Sequence, residues 1–505
     1  MVDYNLLTTI VIAGVVVSAG ISLWAGFGQV AQMKTLGDLI PIWRPGRARV
    51  RTATEFSSAT VASSISLATV VMAYFELAAY LGVWLLWTVI TTALGMLVVR
   101  LVARRIWSKL ARYGDRIPTL HEFLGSEFGS SGLSLVGATA TSLGFLGAFA
   151  VELTVGSRLF AGLVPSAPVT VVVVIFALIG LVYTSAGGFR AVVITDRIQM
   201  ISIWIFLSSL FFYYAVFIFQ HGGLDTATHR LPADALTLSD REGLVSFLIG
   251  IFIINVPTYI ADMGMWQRVT SIQNPADSLP GLVKSAGGAS ISWGTLALLA
   301  IFAPSVASWT GTSNPLIPVL RSLVSPATTL GLGVLFICIA GLYAAMMSTA
   351  STQLIAVSHA VYEDIISRHA AAAPQERAES SAALSRARVV LIISASLAVI
   401  IVEALSRAGF SIADLVFAIY GAQLGLFMPV CLALFLSRDR LQLLSRWAML
   451  AIAGGFIAGW GSALFGTLNH RPNWVFLAPG VSLVVSTFFL GAGWLLTKRN
   501  GDQSA

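Results

Sequence analysis

A chain of 505 residues with 57% hydrophobic and 10% charged residues, and a mean hydropathy of +0.85, lies outside the range of soluble globular domains. It reads as an all-α polytopic membrane protein, with no polar segment long enough for a soluble catalytic or output domain. The net charge of +7 sits largely beside helix ends, so it reads as topology and a cationic inner surface; no nucleic-acid partner is indicated.

Crossing the hydrocarbon takes roughly 20 apolar residues. The first such stretch, 5–26, is a full span, and Met1 to Tyr4 carry Asp3 and no basic residue, so it is expected to stay as a helix and not to be removed as a signal. Further spans are predicted at 55–76, 78–103, 131–163, 167–185, 193–219, 242–265, 281–306, 329–366, 385–404, 410–437, 443–468 and 474–497. About thirteen helices put the termini on opposite sides. With the N-terminus outside and the C-terminus cytoplasmic, only Arg158, Arg230, Arg241, Arg321, Arg407 and Arg471 face outward, and the other 24 of the 30 basic residues face inward, as the positive-inside rule requires. The protein is therefore expected as a multi-pass protein of the cell membrane. Two basic clusters, one from Arg44 to Arg51 and one from Arg100 to Arg112, adjoin helices where anionic lipid headgroups lie.

Function must be built inside the spans, so broken or polar helices mark the place to look. In 242–265 the break is explicit: Pro257 has no amide hydrogen and frees the carbonyl of Ile253, beside Asn255. The span 55–76 holds Ser57, Ser58, Thr60, Ser63, Ser64, Ser66 and Thr69 but neither Gly nor Pro, so any break there must rest on hydroxyls. These two spans open two five-helix sets, 55–219 and 242–437. That is the arrangement of an inverted-repeat transporter with unwound helices at its midplane. Residues 1–54 would add one helix and an inner loop, and 438–505 two more helices and a short cytoplasmic tail beyond Lys498 and Arg499.

In the ninth span AAMMSTASTQ places Ser348, Thr349, Ser351 and Thr352 on a helix otherwise built of Ala, Met, Leu and Ile. Such oxygens suit a cation site, and they equally suit bonds to the helix's own carbonyls. The stretch YTSAGGFRAVVITDRIQ, Tyr183 to Gln199, reads as an inner hairpin turned at Gly187 and Gly188, with Asp196 at a helix start. Its Tyr-Thr, Gly-Gly, Ala-Val and Thr-Asp pairs resemble the signature loop of the sodium:solute symporter family. TYIADMGMWQRV, with Asp262, Gln267 and Arg268, AAMMSTASTQLIAVSHAVYEDI and GAQLGLFMPV, with Pro429, resemble further motifs of that family, so the resemblance spans roughly 40 to 440.

The resemblance implies a leucine-transporter-type fold with a 5+5 inverted repeat and sodium-coupled symport of a small polar organic solute into the cell by alternating access. Neither an enzymatic activity, a cofactor nor an obligate protein partner is implied. Position by position it puts sodium on the hydroxyls of Ser348 and Thr349 and the carbonyls of Ala345, Ala62 and Ile65. Neutral oxygens suit such a hard monovalent ion. Asp196, Ser351 and Thr352 match a second sodium site of some members; the competing reading is local bonds for the two hydroxyls and an acid at a helix N-terminus for Asp196. For the solute it points to Thr69, Asn255, Thr258, Tyr259, Phe417, Gly421 and Gln423. Thr258 stands where sugar carriers have a tyrosine, no Tyr-Glu pair follows the second span, and Ser64 stands where proline carriers have Asp, so sugars and proline are disfavoured.

The alternative is proton coupling on the same scaffold, with Asp196, Glu152 or Glu76 titrating. Glu152 and Glu76 are otherwise expected near the outer half in a structural role, as water-facing groups or pairing with Arg158. His359 is expected as a packed or hydrogen-bonded imidazole, Glu403 and Asp414 as solvated span ends, Cys338 and Cys431 as buried small apolar residues, and Trp84, Trp87 and Trp474 as interfacial anchors. His121 and Glu122 lack the second histidine of HExxH, and no GxSxG elbow is present. A metal other than sodium is not indicated.

Overall fold

The computed structural model describes residues 4–308, 314–325, 328–368, 373–408 and 411–502. The side chains of Arg407, Lys498 and Arg499, and residue Asp3, lie outside the described set. Among the described residues the chain is helical almost throughout, and its extended pairings are the isolated bridges Trp43 with Arg116 and Val50 with Ile272. Hydrocarbon offers no water to a backbone amide, so segments this apolar satisfy their own groups as helices.

Eleven of these helices are long and apolar enough to cross a membrane, against the thirteen read from the sequence. The difference lies in two elements, Leu67–Tyr113 of 47 residues and Val169–Gln220 of 52. At 1.5 Å per residue they would extend about 70 and 78 Å, far beyond a hydrocarbon core of roughly 30 Å. Each is interrupted at a glycine in the left-handed region, Gly82 at φ 53° and Gly188 at φ 58°. A β-carbon would come within 2.3 Å of Ala235 O at the first and 2.7 Å of Leu39 O at the second, so both positions need glycine for conformation and for space. The expected hairpin at 183–199 is thus a single turn at Gly188 inside a helical run. Asp196 lies about two turns beyond it, not at the helix start, so it is not the N-terminal acid of a new helix.

Burial sorts the helices. The spanning windows of Thr329–Ile366 and Ile412–Phe435 are 67% and 72% buried, that of Ala478–Thr497 only 22%, which makes the first two central and the last peripheral. Thr329–Ala360 packs against Val169–Gln220, Ser131–Leu163, Tyr4–Phe27, Ser381–Ala408 and Ala53–Ser64. Ser445–Leu468 and Ala478–Asp502 pack on each other. Cys338 is buried, Cys431 half-buried, and both are free. The indoles of Trp84 and Trp87 donate to Ser239 O (3.1 Å) and Leu248 O (3.0 Å), so they brace the protein itself, whereas Trp474 is largely exposed.

On the predicted inner side, the π-helical turn Val361–Ile366 ends the ninth span and places Asp364 at the centre of a buried polar group. Thr119 donates to it (2.7 Å), His121 Nδ1 stands 3.0 Å away, and His121 Nε2 meets Thr141 (2.8 Å). His121 is therefore a fully bonded structural residue. His359 is likewise buried, its Nδ1 accepting from Gln267 Nε2 at 2.8 Å.

Candidate ion and solute site

The second span does break, and the donors explain how. Ala53–Ser64 is helical, Ile65 (φ −98°, ψ 74°) and Ser66 (φ −71°, ψ 141°) are not, and a π-helix resumes at Leu67–Met72. In an unbroken helix the amides of Leu67, Ala68 and Thr69 would donate to the carbonyls of Ser63, Ser64 and Ile65. Here the Thr69 amide donates to Ser66 Oγ (2.8 Å), that of Ala68 to Glu152 Oε2 (3.4 Å), and that of Leu67 also to the Glu152 carboxylate. Ser66 Oγ donates to Glu152 Oε1 as well. The carbonyls of 63–65 are thereby released from helix bonding. The Ala62 carbonyl is not fully released, since it accepts from the Ile65 amide at 3.3 Å; its second lone pair remains.

Glu152 is fully buried in Ser131–Leu163. It is neither water-facing nor joined to Arg158 by any described bond, because its oxygens are used by the broken helix. Replacing it with Ala removes the acceptor of two amides, at about 1–3 kcal/mol for each donor left unsatisfied. Glu152→Ala should therefore lower the thermal midpoint, and Glu152→Gln, which keeps one acceptor oxygen, should lower it less; equal midpoints for wild type and Glu152→Ala would remove this role.

The seventh span is broken twice. Leu244–Asn255 ends at Val256, Pro257 starts the short Thr258–Ala261 turn, and Asp262 is extended (φ −81°, ψ 123°) before Met263–Ser271. The second break is a capped helix start: Asp262 Oδ1 accepts from the Met265 amide at 2.6 Å. It aims Arg268 back toward the centre.

Thr329–Ala360 faces both breaks. Thr349 Oγ1 donates to Ser63 O at 3.3 Å. Hard cations hold oxygens at about 2.3–2.6 Å, which puts neighbouring ligands at right angles ~3.3–3.7 Å apart, so this oxygen pair has the spacing of two ligands on one ion. Ala345 lies one turn before Thr349 on the same helix face. Ser348 turns to the other side, donating to Asp196 Oδ1 at 2.6 Å. Asp196 is fully buried, and its Oδ2 stands 3.6 Å from Arg268 Nη2, which donates to Thr352 Oγ1 at 2.9 Å. Ser351 bonds locally, to Ser348 O at 3.1 Å. Of the three residues read as a second ion site, Asp196 and Thr352 are thus joined by an arginine, and Ser351 stands apart in a helix bond.

A cavity of about 150 Å³ lies beside this arrangement, smaller than the roughly 300–1,000 Å³ of pockets for drug-sized ligands. Ser63, Ser66 and Thr69 line it from the first break, Asn255, Thr258, Tyr259, Asp262 and Arg268 from the second, and Thr349, Thr352, Phe417 and Tyr420 from the ninth and eleventh spans. Tyr74, Trp293 and Phe247 add aromatic walls. Asn255 Nδ2 donates to Thr91 Oγ1 (3.0 Å), and Thr258 Oγ1 is buried without a hydrogen bond among the described residues. Gly421 and Gln423 lie elsewhere: Gly421 abuts Pro479, and Gln423 packs on Gly144. Phe417 and Gly421 are one turn apart on Ile412–Gln423, so the helical period does not separate them; what differs is the neighbour each meets, Pro479 at Gly421 and Gly144 at Gln423. Tyr420, its hydroxyl accepting from Gln353 Nε2 at 3.3 Å, and Gln353 belong to the site and were not picked out by the sequence; three and four residues from named positions, they could have been found from the helical period.

Residues 49–246 match the model of the sodium:solute symporter family. The resemblance read from the motifs is borne out over that range, and the motifs at 258–269, 344–365 and 421–430 lie beyond it. Among curated proteins none matches the chain. Among solved structures, a substrate-bound, outward-open Na+-coupled sialic acid symporter is similar, with 19% identity, a TM-score of 0.71, and coverage of 96% of this chain and 98% of that one. The inward-facing nucleobase-cation-symport-1 family transporter Mhp1 (14%, TM-score 0.56, 91% and 94%) and a manganese transporter of Eremococcus coleocola (14%, TM-score 0.54, 88% and 95%) are similar at greater distance. At these identities the likeness is one of fold, and the fold is that of the leucine-transporter-type carriers.

Proposed function

We propose that this chain is a sodium-coupled symporter that carries a small polar organic solute into the cell, multi-pass in the cell membrane with its N-terminus outside. The observation that carries this reading is the release of the 63–65 carbonyls opposite Thr349, beside a cavity lined by both broken spans. Sodium would be held by Thr349, Ser348 and the carbonyls of Ile65, Ala62 and Ala345. Ser348 would have to turn from Asp196 to reach it. The solute would sit among Thr69, Asn255, Thr258, Tyr259 and Phe417. With Arg268 already supplying a positive charge to Asp196, a second sodium at Asp196 and Thr352 would meet a cation, which favours a single coupled ion in this conformation.

The test is uptake by the protein in proteoliposomes with and without an inward sodium gradient. The solute is found first, from thermal stabilisation across amino acids, carboxylates, vitamins, nucleobases and sugars in the presence or absence of sodium. A ligand that stabilises only with sodium identifies solute and coupling together, and uptake that proceeds equally without sodium overturns the reading. Proton coupling is the second reading, favoured by two buried carboxylates, Glu152 and Asp196, at the centre of the molecule; uptake driven by a pH gradient in sodium-free buffer would establish it.

A further inference from the structure

Away from the cavity, the inner end of Trp87–Leu110 holds an imbalance of charge. Glu127 is fully buried and faces three cations, Lys109 (2.7 Å) and Arg112 from one turn of chain and Arg438 (3.3 Å) from a distant one. One carboxylate cannot neutralise three cations, so an excess of two positive charges remains. It reaches the surface, because the three basic side chains are 21%, 31% and 45% exposed. Asp439, next to Arg438, is followed at once by Arg440 and does not remove the excess.

The surface beside these cations is apolar. Leu97, Leu101, Arg105 and Lys109 recur every four residues and form one stripe of the helix. Leu101 is 75% and Phe435 51% exposed. Arg105 ties the two halves together, its guanidinium 4.7 Å over the Phe435 ring and its Nε donating to Leu434 O at 2.8 Å. A soluble anion or an acidic protein would need water-facing surroundings; here the cations cap an exposed apolar stripe at the end of a membrane-spanning helix, the place where headgroups are expected.

We propose that this corner, formed by Arg105, Lys109, Arg112 and Arg438, is a binding site for the phosphate headgroup of an anionic phospholipid, with an acyl chain along Leu101 and Phe435. Basic pockets at the cytoplasmic ends of spans suit such headgroups. The site is independent of the transport reading.

Native mass spectrometry of the full chain, equilibrated with equal phosphatidylglycerol and phosphatidylcholine, tests it. Wild type should retain phosphatidylglycerol in preference. Arg105→Gln and Arg438→Gln, each of which leaves Glu127 paired with Lys109 and Arg112, should each weaken that preference about fivefold. Arg438→Lys should restore most of it, and Arg386→Gln, an exposed position on Ser381–Ala408, should leave it unchanged. Equal retention of the two lipids, no effect of either glutamine variant, or the same loss in Arg386→Gln overturns the site. So does displacement of the lipid by inorganic phosphate or an acidic peptide at low concentration, which would make the corner a site for soluble anions.

Discussion

Thr349→Ala is expected to raise the sodium concentration for half-maximal uptake about tenfold or more, with the maximal rate changed less. A hydrogen bond to a charged group is worth about 1.5–3 kcal/mol; a neutral oxygen facing a cation is taken on the same scale, and each 1.4 kcal/mol is a factor of ten in affinity. Thr349 stands 3.3 Å from the Ser63 carbonyl with no other described partner for its hydroxyl, so its loss falls on the ion. Ser348→Ala should also raise the requirement, though its hydroxyl presently serves Asp196. Thr349→Ser keeps the oxygen and should stay near wild type. An unchanged sodium curve in Thr349→Ala, in protein that takes up solute at a normal rate, would place sodium elsewhere.

The larger effect on stability is expected at Arg268. Removing one partner of a buried ion pair costs about 3–5 kcal/mol, because the other charge is left in a low dielectric. Arg268→Gln strands Asp196, which is fully buried, and takes the donor from Thr352. Its thermal midpoint should fall well below that of wild type, and transport should fall with it. Asp196→Asn strands Arg268 in turn. The double variant should lose clearly less than the two single losses combined, since groups in contact are not additive. Strict additivity in that cycle would show that the 3.6 Å approach carries no coupling.

How far the sequence reached is clearest in the two breaks. Pro257 lacks an amide, so its break is local and legible. The break at Asp262 was equally local, an Asp capping an amide three residues on, yet an apolar run on either side hid it. The break at Ser66 was half legible. Ser66 itself caps the restarted helix, as an account resting on hydroxyls requires, but the decisive acceptor is Glu152, 86 residues away. No local pattern announces a partner from another helix. Asp196 failed for the same reason: a few residues past Gly-Gly it looks like a helix start, and its real partners, Ser348 and Arg268, come from a span 152 residues away in one case and from the second broken span in the other. Composition and hydropathy carried the fold class because hydrocarbon leaves the backbone few options; the pairing of polar groups inside it is a matter of tertiary geometry.

The three amides diverted by Glu152 and Ser66 have a consequence for how the proposed ion would be let go. The carbonyls of 63–65 have two claimants, the amides of 67–69 and a cation, and they cannot serve both fully. A continuous helix and a loaded ion are therefore competing states of the same turn. With sodium bound there as proposed, Glu152 would act as a latch on that competition from a neighbouring helix, and a shift of Ser131–Leu163 against the second span would let the turn zip closed and release the ion.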